Sequence, residues 1–152
     1  MDYKILKADI TDVAEILEVQ LAAYRVVAQW YGVYDIPPLL ETIEDLAALF
    51  DTDTFMKAVV DRRLAGSVRA YEKNGTCFIG RLGVLPEFQG HGIGTSLMAA
   101  IEQQFDVCRY ELFTGAEVAG NIALYEKLGY KIFKQTDYGC GDIKVVYMEK
   151  SV

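Results

Sequence analysis

The chain has 152 residues, 52% of them apolar, enough for one core and too few for several, so one domain spanning residues 1–152 is expected. Its 15 basic residues against 22 acidic ones give a formal net charge of −7, which argues against a nucleic-acid partner because phosphate backbones demand a basic face. No apolar run approaches the roughly 18 residues of a membrane span, no basic-then-apolar leader opens the chain, and Cys77, Cys108 and Cys140 form no CxxC pair; the expectations are a cytoplasmic protein with reduced thiols, no membrane partner and no metal.

Alternation of Tyr3, Ile5 and Lys7 with Lys4, Leu6 and Ala8 predicts a first strand. Thr11 is placed to cap the next helix, with Asp12 and Glu15 in its first turn and Val13, Ile16, Leu17, Leu21 and Tyr24 as its apolar stripe. From Gln29 to Pro38 the chain is aromatic, and its glycine and paired prolines forbid one continuous helix. A helix restarts near Thr42, with Asp45 completing a capping box. Thr54 to Val60 and Leu64 to Lys73 read as strands joined at Asp61-Arg62-Arg63, and Asn74-Gly75 signals a hairpin into a strand from Thr76 to Leu85. After a glycine-rich segment come a helix-patterned run from Thr95 to Phe105, a strand from Arg109 to Thr114, a short helix from Asn121, and strands at Tyr130 to Thr136 and Ile143 to Glu149, the last two separated by the turn-rich Asp137 to Asp142.

The segment Gln89-Gly90-His91-Gly92-Ile93-Gly94 carries the most information. Alternate glycines between a strand and a helix let the backbone turn tightly and bring bare N–H groups close to a ligand, which makes a phosphate site. Two common phosphate loops are excluded by their spelling. A dinucleotide fingerprint needs glycine at position 95, where Thr95 stands, and a Walker A loop needs lysine before that threonine, where Gly94 stands.

Downstream, Asn121-Ile122-Ala123-Leu124-Tyr125-Glu126-Lys127-Leu128-Gly129-Tyr130 places Ile122, Tyr125 and Leu128 on one helical face, with Gly129 as a left-handed cap. The hexamer resembles the Q/R-x-x-G-x-G/A pyrophosphate loop of the GNAT superfamily of N-acetyltransferases, approached through Val84-Leu85-Pro86-Glu87-Phe88. The second segment resembles a contracted form of that family's N-x-x-A-x-x-x-Y-x-x-x-G-F/Y stretch. The resemblance covers about Thr54 to Met148. It implies an α/β fold, a mixed and mostly antiparallel sheet of six to seven strands with helices on both faces, and acetyl-CoA as cosubstrate without a metal.

By that resemblance, backbone groups of Leu82, Gly83 and Val84 pair with the pantetheine arm, and Gln89, Gly90, His91, Gly92, Ile93, Gly94 and Thr95 hold the pyrophosphate. Asn121 contacts pantetheine, and Tyr125 donates a proton to the leaving thiolate. From the residues alone, Tyr125 reads first as a half-buried helix aromatic whose hydroxyl reaches water, and Asn121 reads equally as an N-cap. The family's strand carboxylate is missing from Cys77-Phe78-Ile79-Gly80-Arg81, leaving Glu72 and Glu117 as candidate bases, each also readable as a solvated charge.

Trp30, Tyr31 and Tyr34 fall where the family builds its acceptor pocket, or else pack as core. Together with the acidic balance they lean toward a cationic amine. The implied activity is acetyl transfer to a primary amine of a small molecule or peptide by direct attack in a ternary complex. A homodimer is allowed for. The alternatives are a non-catalytic acyl-CoA sensor and a transferase of longer acyl groups.

Overall fold

The computed structural model describes residues 1–139 and 141–152; Cys140, the third thiol, lies outside the described residues. Seven strands form one sheet in the order β1-β2-β3-β4-β5-β7-β6, with β1 at Lys4–Lys7, β2 at Thr54–Val60, β3 at Arg63–Lys73, β4 at Thr76–Val84, β5 at Arg109–Gly115, β6 at Lys131–Asp137 and β7 at Lys144–Ser151. Every pairing is antiparallel except β4 with β5. Two-residue turns close the first hairpins: Asp61 and Arg62, then Asn74 and Gly75, all take positive φ, the twist that tight hairpins require. Arg63 consequently joins β3, where it pairs with Val60, and does not belong to the turn.

Helix α1 (Val13–Tyr31), α2 (Pro37–Leu40) and α3 (Ile43–Leu49) pack on one face of the sheet, α4 (Ile93–Gln103) and α5 (Ala119–Lys127) on the other. A Cβ on Gly83 would meet Ala23 of α1, whereas one on Gly66 would meet Leu97 of α4, which shows how closely both helices approach the strands. The α4 side buries Leu97, Met98 and Ile101 against Val68, Cys77, Leu112 and Met148. On the α1 side Ile16 and Val19 pack with Leu46, Phe55 and Leu64.

Three boundaries differ from the sequence reading. A 3-10 turn at Ile10–Asp12 leads into α1 and is capped by Asp9, whose carboxylate accepts from the Thr11 amide, while the N-cap of α1 itself is Asp12, so Thr11 caps neither. Gln29, Trp30 and Tyr31 belong to α1, because nothing breaks the helix before Gly32, which ends it at φ +68. Asn121 is inside α5, whose N-cap is Val118. Thr42 and Asp45 make the expected capping box, and Gly129 takes φ +99 at the end of α5. No helix among the described residues is long and apolar enough to cross a membrane.

Candidate active site

The parallel strands β4 and β5 pair at three positions only, Thr76 with Arg109, Cys77 with Tyr110 and Phe78 with Glu111, and then part. On its other side β4 carries a bulge: Ser67 pairs with Gly83 but Arg69 with Gly80, so β4 holds one extra residue there. Arg81 sits in that bulge at φ +54. The cleft this opens reaches through the sheet, and cavities line it on each side.

One cavity, of about 420 Å³, is lined by Leu82, Gly83 and Val84, by Gln89, Gly90, Gly92, Ile93, Gly94 and Thr95, and by Gly120, Asn121 and Leu124. Its floor is the start of α4. That helix has Gly92 at φ +84 as its N-cap, and no side chain caps it. Its first backbone bond runs from the Ser96 amide to the Gly92 carbonyl, so the preceding amides have no partner in the helix and favour an anion. A Cβ on Gly94 would protrude to 3.6 Å from Leu124, into this groove.

Two side chains fix the loop. Gln89 Nε2 donates to the Val84 carbonyl at 3.1 Å, tying the loop back to β4. The Tyr3 hydroxyl lies 2.8 Å from Ser96 Oγ and donates to the Gly92 carbonyl at 3.3 Å, a role that its place in a strand alternation did not reveal. His91 is exposed and does not line the groove.

A narrower cavity continues toward the sheet, lined by Tyr24, Tyr31, Ile79, Arg81, Leu82, Thr114, Asn121 and Tyr125 among others. Tyr125 is buried at the inner end of α5, with its ring edge-on to Tyr130. Burial, then the nearby Tyr24 phenol, pushes its pKa well above that of a free phenol. Asn121 Nδ2 donates to Thr114 Oγ1 at 3.3 Å, which spans the gap from α5 to β5. Tyr24 was legible only as one residue of an apolar stripe. Its hydroxyl donates to the Leu82 carbonyl at 3.1 Å, fixing the parted end of β4, and burial pushes its pKa up to about 12.

A third cavity, of about 370 Å³, is lined by Asp53, Arg69, Tyr71, Phe78, Gly80, Arg81, Glu111, Phe113 and Tyr147, with Leu49 at the end of α3, Ile79 and Leu112. It shares Ile79, Gly80, Arg81, Leu112 and Phe113 with the narrow cavity, so the two meet at the cleft. Glu41, at the junction of α2 and α3, accepts from Arg69 Nη2 at 3.0 Å, Arg81 Nε at 2.8 Å and Gln20 Nε2 at 2.8 Å. Gln20, buried in α1, also donates to the Pro38 carbonyl. Burial alone would raise the Glu41 carboxyl, but the hydrogen bonds from Arg81 and Arg69 hold it below its ordinary value. Asp53 shifts the other way: burial raises it, against a hydrogen bond from Thr52.

The remaining expected residues scatter. Glu72 and Glu117 are exposed and line none of these cavities. Trp30, 67% exposed, stands at the edge of the loop cavity, and Tyr34, 61% exposed, lines none of the three. Tyr31 lines the narrow cavity and accepts from the Glu117 amide at 3.2 Å, so it braces the turn after β5.

The sequence profile of the acetyltransferase (GNAT) family matches residues 15–130. The chain belongs to the GNAT family. Solved structures agree in fold. PaiA N-acetyltransferase from Thermoplasma acidophilum in complex with coenzyme A is 21% identical, with a TM-score of 0.83 over 100% of both chains. The ribosomal-protein-S18-alanine N-acetyltransferase from Escherichia coli is 18% identical, with a TM-score of 0.78 over 99% of this chain and 94% of that one. A phosphinothricin acetyltransferase from Sinorhizobium meliloti in complex with acetyl-CoA is 18% identical, with a TM-score of 0.80 over 100% of this chain and 89% of that one. A search of curated proteins by sequence finds no match.

Proposed function

We propose that this chain, as one domain, is an N-acetyltransferase that moves the acetyl group of acetyl-CoA to a primary amine of a small molecule or peptide by direct attack within a ternary complex. The observation that carries it is a run of cavities through the β4–β5 cleft: the one floored by the uncapped start of α4 shares Tyr24, Leu82, Val118 and Asn121 with the narrow cavity, which in turn meets the third. Acetyl-CoA fits the first. Amides of Ile93, Gly94 and Thr95 face a diphosphate, Leu82, Gly83 and Val84 present the parted strand edge to an extended arm, and Asn121 and Tyr125 lie ahead.

The amine enters from the far face and loses a proton before attack, and Asp53 is the carboxylate placed to take it. Glu111, the other acid lining that cavity, is engaged by Arg109 at 2.8 Å, while Asp53 makes no salt bridge among the described residues, and its raised pKa makes it the better base. Tyr125 gives a proton to the departing thiolate. Desolvation that raises the phenol raises an adjacent thiol as well, which makes the departing thiolate a stronger proton acceptor. Among the described residues no cysteine is placed as the nucleophile of a covalent acyl-enzyme. Cys77 is buried and its thiol is pushed up to about 12 by burial, then by the carboxylates of Glu102 and Glu72; neither it nor exposed Cys108 lines a cavity. Free thiols support a cytoplasmic setting.

Because Glu72 and Glu117 stay outside the cavities, a second reading is retained: an acyl-CoA sensor without turnover. Thiol release from acetyl-CoA over a panel of diverse amines separates the two. Amine-dependent release supports the enzyme; tight coenzyme A binding with no release from any amine supports the sensor.

A further inference from the structure

We propose that Arg69 and Arg81 form the subsite for an anionic group of the acceptor, so that the preferred amine carries a carboxylate; this deepens the acetyltransferase reading and rests on it. One carboxylate, Glu41, serves both guanidinium groups. Each guanidinium takes one oxygen of Glu41, so two partly buried cations share a single direct counter-ion and the cluster keeps an excess of positive charge. Arg69 Nη2 is committed to Glu41, but Arg69 Nη1 is buried with no acceptor among the described residues. A guanidinium N–H withdrawn from water without a partner is costly, and a planar carboxylate on the guanidinium edge would remove that cost.

Arg81 supplies an independent sign. Its left-handed φ of +54 at the bulge is a conformation that L side chains rarely adopt, and such strain persists at sites where surrounding structure enforces it. What it achieves is to set a cation where β4 leaves β5, at the shared wall of the two cavities.

The rest of the cavity completes the description of the ligand. Tyr71 stacks on Phe78 with centroids 5.3 Å apart, and Phe113 lies 5.4 Å from Tyr147, giving aromatic walls for an apolar body. Asp53, which accepts from Thr52 Oγ1 at 2.9 Å and makes no salt bridge among the described residues, lines the same space, as does Glu111, paired with Arg109, so the cavity joins two cations and two acids. The acceptor it describes is a small dipolar molecule with an amine, a carboxylate and an apolar body. The net charge of −7 leans to a cationic amine, whereas these local groups lean to an amino-acid-like one.

The test uses matched amines: an apolar amino acid, its carboxamide and its decarboxylated amine, with acetyl-CoA saturating. Wild type should favour the carboxylate member by about 10-fold or more in kcat/KM, the usual worth of a charged hydrogen bond. Arg69→Lys keeps the charge and the Glu41 partner but loses the planar fork; it should level the three amines to within about 3-fold while the KM of acetyl-CoA stays put. Calorimetric binding of the N-acetylated amino acid to the coenzyme A complex gives a readout that needs no turnover. A wild-type preference for the carboxamide or the decarboxylated amine overturns the subsite and leaves the transferase intact. No turnover with any amine, together with binding that Arg69→Lys weakens, overturns the transferase and upholds the subsite. No carboxylate binding and no carboxylate turnover overturns the inference outright.

Discussion

The loop from Gln89 to Thr95 and the cluster of Glu41, Arg69 and Arg81 stand on either side of one cleft, yet they are built in opposite ways. The loop is seven consecutive residues whose proposed role lies in the backbone: positive φ at Gly90 and Gly92 and free amides at the start of α4. The cluster is assembled from α1, the α2–α3 junction, β3 and β4, with partners 21 to 40 positions apart, and its proposed role lies in side chains. A site made of backbone can be spelled in a short motif. One made of distant side chains can be seen only once the chain is folded.

The expected perturbations differ accordingly. Tyr125→Phe tests the residue that stands between the two regions, and kcat should fall by about 10²-fold or more, the range for a positioned acid, with the KM of acetyl-CoA little changed in steady-state kinetics. Unchanged kcat, with chemistry limiting, would remove its acid role. Gly92→Val acts on the loop alone. A β-branched residue is strained at φ +84, and coenzyme A affinity by calorimetry should drop by about 50-fold while the KM of the amine in residual activity barely moves.

On the far side, Asp53→Asn should lower kcat/KM for the amine by about 10-fold and shift the acid limb of its pH profile, leaving coenzyme A affinity intact. Because burial raises the Asp53 pKa in the fold, the ionised group opposes folding above that pKa, so the variant should melt no lower than wild type near pH 7. Glu41→Gln should behave in the reverse sense. The Glu41 pKa is lowered in the fold, so its contribution is present above the ordinary value of 4.5 and is lost as pH falls through the folded value. Denaturant titrations should show a loss of about 1 kcal/mol at pH 7 that shrinks on acidification.

How much could be read beforehand follows the same division. Strands β2, β3 and β4 were legible because alternation and the Asn74-Gly75 turn are local signals. The start of α4 and Gly129 were legible for the same reason. The end of α1 was misjudged because the aromatic Trp30 and Tyr31 look irregular, though only Gly32 stops a helix. Glu41 gave no sign beyond a charge beside Thr42, and Asp53 none beyond a turn, since burial is what makes each of them chemical. The bulge at Arg81 has no sequence signature, because it arises from a register shift against β3. Tyr3 and Tyr24 were visible as strand and stripe residues, but their hydroxyl partners are 89 and 58 positions away.

The central claim is that acetyl passes directly from one cavity to the other across the β4–β5 cleft. Initial rates of thiol release measured over a grid of acetyl-CoA and the best amine test it most directly. Intersecting double-reciprocal lines, with the Cys77→Ser and Cys108→Ser proteins both active, are the predicted result; parallel lines, or thiol release that does not depend on the amine, would contradict direct transfer.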